Sequence, residues 1–152
     1  KPTQAAKICI SLAEKIKDNF KKIDLILAPA IGGIVIGYEI GRLLGVETIF
    51  AERVESKFNL RRDFFIPKGS KVLIMEDVIT TGKSSLECSN LILSASAELL
   101  GYACIIDRSN GKSNIKDKII SQIEINIPTY EKNNLPANLS SIKAIKPGSR
   151  GL

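Results

Sequence analysis

Three short apolar runs constrain this chain more than any other feature: "IDLILAPA" (residues 23–30), "KVLIMED" (71–77) and "YACIIDRS" (102–109). Each is short for a helix and too continuously apolar for a strand with one wet face. Between them lie segments with helical spacing. In residues 3–20 the apolar positions are Ala6, Ile8, Ile10, Leu12, Ala13, Ile16 and Phe20, with Thr3 as the cap. Residues 32–45 read as a helix closed by Gly45, and residues 82–101 as a helix closed by Gly101. "VETIFAE" (46–52) and "QIEINIP" (122–128) alternate and read as further strands. Buried strands alternating with helices imply an α/β fold, a mostly parallel twisted sheet with helices on both faces. Residues 1–152 are expected to form a single domain. Residues 53–70 break the rhythm and read as a loop, a hairpin strand at "DFFI" and a turn at "PKGS". The tail from residue 129 reads as loop with at most one helical turn.

The composition removes whole classes of chemistry. The 152 residues include no histidine. His-ligated zinc, Ser-His-Asp catalysis and a His-activated cysteine all go with it. The three cysteines, Cys9, Cys88 and Cys104, sit among apolar neighbours and read as buried free thiols, which suggests a cytoplasmic protein. No apolar run reaches membrane-span length, so no membrane partner is expected. The net charge is +6, while aromatics make up 5% and tryptophan is absent. Stacking platforms for single-stranded nucleic acid are therefore scarce, and a small polyanion is the favoured ligand over nucleic acid.

In a parallel sheet the ligand sits beyond the carboxyl ends of the strands, where helix N-termini point. That rule selects "PAIGG", "AERVESK", "EDVITTGKSS" and "DRSNGK". In the third, Thr80, Thr81, Gly82, Lys83 and Ser84 open a helix. Unpaired amides, hydroxyls and a glycine together make a phosphate cradle. It is not a P-loop, because the Gly-x-x-x-x-Gly-Lys spacing is missing. A plain N-cap would explain the hydroxyls but not Glu76 and Asp77, two acids ending an apolar strand. These repel each other and lose hydration unless hydroxyls, cations or a metal satisfy them. Sugar hydroxyls with Mg²⁺ would do so.

An apolar strand, two acids, Val78, Ile79, Thr-Thr-Gly and a serine resembles the binding signature of the type I phosphoribosyltransferases, which use 5-phosphoribosyl-1-pyrophosphate. The resemblance implies that Glu76 and Asp77 contact the ribose hydroxyls and that Thr80 to Ser84 wrap the 5-phosphate, with Mg²⁺ bound mainly through the substrate. "APAIGGIVIGYEIGRLLG" is similar to the pyrophosphate loop of the orotate-using members. It implies that Ala30, Ile31, Gly32 and Gly33 offer amides to pyrophosphate, with Ile31 where several members have lysine. "FAERVESKFNLRRDF" resembles the family's mobile catalytic loop, here residues 53–63. Arg53 and Lys57 take its catalytic positions, Val54 and Asn59 depart from its second lysine and its histidine, and Arg61 and Arg62 are candidates to compensate. Arg108, after "IID", matches the arginine that pairs with the orotate carboxylate, and Thr80 is a second orotate contact. Alone, Asp107 and Arg108 would read as a surface ion pair.

The resemblance implies an orotate-dependent phosphoribosyl transfer giving orotidine 5′-phosphate, with Lys57, Arg53 and Asp77 as catalytic residues. It further implies a homodimer whose loop closes over the partner's site. An N-terminal hood closing over the base is expected outside these residues, and "IKPGSRGL" at the end also fits the family. Two alternatives stand beside this reading: a phosphoribosyltransferase for another base, and a non-catalytic nucleic-acid-binding regulator on the same fold.

Overall fold

The computed structural model describes residues 1–131, 133–143 and 145. Its elements are α1 (Pro2–Asn19), β1 (Leu25–Pro29), α2 (Gly32–Leu44), β2 (Glu47–Val54), β3 (Lys57–Leu60), β4 (Lys71–Ile79), α3 (Lys83–Ser94), β5 (Glu98–Asp107), β6 (Ile119–Glu124) and α4 (Ala137–Ser140). The six strands form one sheet in the order β3-β2-β1-β4-β5-β6. All pairs are parallel except β2 with β3.

The apolar runs dictate this arrangement. β1 is buried at all five positions and β4 from Val72 through Glu76, so both need cover on two faces. One face carries α1 and α2 over Ile26, Leu73, Met75 and Ala103. The other carries α3 over Leu27, Ile74, Tyr102 and Cys104. The three cysteines are buried and free. α2 lies close to the sheet because Gly33, Gly37 and Gly41 line its inner side. A Cβ at Gly33 would come within 2.8 Å of the Met75 carbonyl.

Several sequence expectations need correction. Thr3 does not cap α1; Lys1 is the N-cap and Pro2 opens the helix, as its fixed φ favours. Residues 53–63 are not simply a loop. β2 continues to Val54, Glu55 and Ser56 turn with positive φ (47° and 70°), and β3 returns antiparallel. Positive φ at both central residues is the pattern of a type I′ hairpin turn, which suits strand twist. "DFFI" is not a strand, because Arg62 and Asp63 both take positive φ and break extended geometry. The segment is held instead by Ile66 in the core and by Phe64, whose ring meets Phe50 edge-on at 5.0 Å.

Gly45 closes α2 in the left-handed conformation, as expected. Gly101 does not close α3. That helix stops at Ala95, where Ser96 N–H donates to the Leu93 carbonyl and Ala97 N–H to that of Ile92. This is a Schellman pattern with serine, φ 55°, in the place where glycine is usual. Gly101 instead belongs to β5, beside a register shift: Val72 pairs with Leu99, but Leu73 pairs with Gly101. The glycine signal was real but marked a bulge. The last strand begins at Ile119 rather than residue 122, because it pairs with Tyr102 to Asp107. In the tail, α4 is the one short helical turn among the described residues; residues 146–152, and with them all of "IKPGSRGL" after Ile145, lie outside those described.

Ser96→Gly is expected to raise stability by about 1 kcal/mol, since glycine removes the Cβ penalty of the left-handed position. Equilibrium urea unfolding checks this, and a neutral or negative change would contradict the Schellman assignment.

Candidate active site

The strand order changes direction between β1 and β4. From β1 the chain crosses through α2 to β2 on one side, and from β4 through α3 to β5 on the other. The two connections therefore diverge and leave a crevice at the carboxyl ends of β1 and β4. A cleft of about 670 Å³ lies there. It is lined by the turn Pro29–Gly32, by Arg53 and Ser56 of the hairpin, and by the continuous run from Glu76 to Ser85.

Two helices begin at this cleft. The N-cap of α2 is Ile31 and that of α3 is Gly82; neither makes a side-chain capping bond, and neither first turn carries an acid. Each helix start thus keeps unpaired N–H groups and the positive end of its dipole for a ligand. Around Gly82 the chain needs φ 78°, and a Cβ there would press on Ile115. Thr81 Oγ1 accepts only a long contact, 3.4 Å, from Lys83 N–H. The Ala30–Ile31 peptide is cis, and Ile31 is 84% exposed in the turn.

The acid pair lies between the two helix starts. The strand does not end at these acids, as the sequence suggested, but runs two residues further to Ile79. Because strand side chains alternate, Glu76 and Asp77 leave opposite faces. Glu76 points to α3, where the Ser85 hydroxyl donates to its Oε1 at 3.2 Å. Asp77 points to α2, against Gly32, where any added Cβ would run into the carboxylate. Asp77 Oδ1 also accepts the Val78 N–H at 2.8 Å. Glu76 is only 6% exposed. Burial chiefly, then the charge of Asp77, pushes its carboxyl up to about 7, with the Ser85 bond acting in the opposite sense. At neutral pH Glu76 can therefore donate as well as accept a hydrogen bond.

Arg53 enters the cleft from the hairpin. Its guanidinium carbon lies 4.3 Å from the Phe58 ring centroid, its Nη1 donates to the Ser56 carbonyl at 2.6 Å, and its Nη2 lies 2.6 Å from Glu87 Oε2. Of the residues expected to form the site, Ala30, Ile31, Gly32, Arg53, Glu76, Asp77, Val78, Ile79, Thr80, Thr81, Gly82, Lys83 and Ser84 line the cleft. Gly33 is buried behind the turn. Lys57 is elsewhere: it pairs with Val54 on the hairpin and borders a separate shallow depression with Glu55, Asn59, Leu60 and Arg61. Arg61 and Arg62 both pair with Glu52, at 3.6 and 3.0 Å. Arg108 is exposed after β5 and does not line the cleft, although its N–H donates to the Ile79 carbonyl at 2.8 Å. Asp107 does not pair with Arg108; its Oδ1 accepts the Ser109 N–H at 2.8 Å.

The sequence reading selected the segments that contain Pro29, Ser56 and Ser85 but gave these residues no role, and it missed Glu87, which meets Arg53 without lining the cleft. Ser85 was detectable, since it falls on the inner face of a helix that starts directly after the acids. Ser56 and Glu87 reach the site only through the hairpin's fold.

The chain is similar to known proteins in sequence and in fold. The family model for the phosphoribosyl transferase domain matches residues 2–137. An orotate phosphoribosyltransferase of Methylorubrum extorquens is 45% identical over 152 residues, covering 99% of this chain and 78% of the relative. One from Bartonella tribocorum is 47% identical over 147 residues, covering 96% and 76%. Among solved structures, adenine phosphoribosyltransferase from Saccharomyces cerevisiae shares the fold with a TM-score of 0.72 at 23% identity, covering 81% of this chain and 80% of its own.

The Glu76 carboxyl predicts a pH effect of definite sign. The unfolded group ionises near 4.5 and the folded one near 7. Between these values the unfolded state binds fewer protons, so stability should fall as pH rises from about 4.5 to 7 and then level off. The full loss is on the order of 3 kcal/mol. Glu76→Gln should remove it. Denaturant unfolding at pH 5 and pH 8 tests this, and an equal slope in both proteins would exclude Glu76 as the source.

Proposed function

We propose a function from the premise that this chain belongs to the phosphoribosyltransferase family, beside the orotate phosphoribosyltransferases that it matches along nearly its whole length. It is a pentosyltransferase that moves the phosphoribosyl group from 5-phosphoribosyl-1-pyrophosphate to orotate, giving orotidine 5′-phosphate and pyrophosphate. The observation that carries the site assignment is the pairing of two uncapped helix N-termini across one cleft, with Glu76 and Asp77 between them. The donor has the complementary pattern: a phosphate at one end, a pyrophosphate at the other and ribose hydroxyls between.

The roles follow from position. The α3 start, Thr80 to Ser84, takes the 5-phosphate, with hydroxyls and backbone amides as donors. The turn at Ala30 to Gly33 takes the pyrophosphate, with Gly33 supporting it from behind. Asp77 accepts from a ribose hydroxyl, and Glu76, near neutral, can donate to the other. In the transfer the bond from ribose C1 to pyrophosphate oxygen breaks and a bond from C1 to orotate N1 forms. Positive charge develops on the ribose and negative charge on the leaving group, which Arg53 and the α2 amides stabilise. The proton that orotate N1 loses passes to the departing pyrophosphate or to solvent, and no strong side-chain base is needed, in keeping with a chain that has no histidine. Arg108 and Thr80 are assigned to the orotate. Arg108 is outside the cleft lining, so this role requires the base to extend past β5 or the arginine to turn inward.

The donor set suits Mg²⁺, a hard cation that prefers oxygen ligands. Among the described residues no group of three His, Cys, Asp or Glu side chains could cage a metal. Asp77 would therefore hold Mg²⁺ together with substrate oxygens, and the ion would neutralise charge on the pyrophosphate. Lys57 faces away from the cleft of its own chain, which favours a homodimer in which it serves the partner's site. No helix among the described residues is long and apolar enough to cross a membrane, and we assign the enzyme to the cytoplasm.

Loss of orotate absorbance with phosphoribosyl pyrophosphate and Mg²⁺ tests the reaction, and absence of turnover would refute it. Gly32→Ala displaces Asp77 and should lower kcat/KM about 100-fold, the scale of a misplaced reacting group; wild-type kinetics would remove Asp77 from the ribose. Lys57→Ala should cut kcat far more than substrate affinity. Mixing it with Asp77→Asn should restore turnover that neither variant has alone, and no restoration would exclude action across a dimer.

A further inference from the structure

Arg53 reaches the cleft on a short hairpin, and three groups hold its guanidinium. Two of them, the Phe58 ring and the Ser56 carbonyl, belong to the hairpin itself and move with it. The third, Glu87, lies on α3, the helix whose first turn forms the phosphate cradle. Of the three, Glu87 is the polar tie from Arg53 to the cradle helix, beside the apolar packing of Phe58 in the core that α3 shares. Its Oε2 is sealed from solvent and accepts no well-angled hydrogen bond among the described residues. The guanidinium 2.6 Å away is its compensating charge, and a buried carboxylate oxygen without such a charge is strongly disfavoured. Both side chains otherwise stay partly in water, so the contact fixes geometry more than it stabilises the fold.

We propose that Glu87 is a positioning residue for the transfer: it sets the placement of the Arg53 guanidinium against the cradle helix, so that the guanidinium faces the leaving pyrophosphate. This rests on the reading of the cleft as a phosphoribosyl-transfer site. Magnitudes separate it from a structural role. The two side chains keep 34% and 28% of their surface exposed, and a pair this open to water contributes little to global stability. Its removal should show in rate rather than in melting. Glu87 does not merely withdraw charge from Arg53, since the arginine still lines the cleft while paired.

The test uses the full chain with Glu87→Gln, which keeps size and loses charge. The expected result is a fall in kcat of about tenfold, with KM for orotate and the melting midpoint unchanged. In an Arg53→Ala background the same change should have no further effect, because the two act as one unit. Wild-type or faster turnover in Glu87→Gln overturns the proposal, as does an equal loss in both backgrounds. If Glu87→Gln melts early, Glu87→Asp decides. Keeping the charge, it should recover part of the rate, and a loss as large as that of glutamine also overturns the proposal. A parent protein inactive on orotate would instead refute the underlying function.

Discussion

Everything in this molecule depends on the divergence of two crossovers at the β1–β4 boundary. With order β3-β2-β1-β4-β5-β6, the chain leaves β1 and β4 in opposite directions, and right-handed crossovers then put α2 and α3 on opposite faces of the sheet. Both helices start at the same end. Their N-termini therefore meet across one crevice, where the helix dipoles add to the charges of Arg53 and Lys83 and face the acids Glu76 and Asp77. The apolar strands make this possible. Burial of β1 and β4 on both sides fixes the sheet, and the glycine stripe of α2 lets that helix lie close enough to aim its first turn at the cleft.

The acids then find their explanation in the alternation of a strand. Glu76 and Asp77 are neighbours in sequence but belong to opposite halves of the site. Glu76 is tied to α3 through Ser85, and Asp77 rests against Gly32 at the start of α2. Each helix start is thus coupled to one carboxylate. Burial pushes the Glu76 carboxyl up to about 7, so at neutral pH it is partly protonated and the pair carries less than its formal charge.

The hairpin is the part of the site least visible beforehand. Residues 53–63 carry no clean period, because β3 is only four residues long and edge strands need little apolar surface. What shapes them is tertiary: Arg53 over Phe58, Arg53 to Glu87, and Glu52 between Arg61 and Arg62. The same tertiary contacts divide two residues that share one motif. Arg53 turns into the cleft of its own chain, while Lys57 turns away. Gly101 shows a different limit. A glycine after a helical stretch reads as its cap, yet here it marks a bulge, and Ser96 takes the cap. Local rules identify that a backbone exception exists, not which exception it is.

By itself the sequence determined the fold class, the buried strands, the run Thr80 to Ser84 at a helix start and the presence of a carboxylate pair beside it. These follow from patterns within a dozen residues, where hydrophobic period and helix-start chemistry act locally. Only the tertiary structure decided which face each acid uses, where α3 stops, how Arg53 is held and that Lys57 and Arg108 stand outside the cleft. Those outcomes depend on contacts between segments far apart in the chain, such as Arg53 with Glu87 and Gly32 with Asp77, and no local pattern encodes a distance across the sheet.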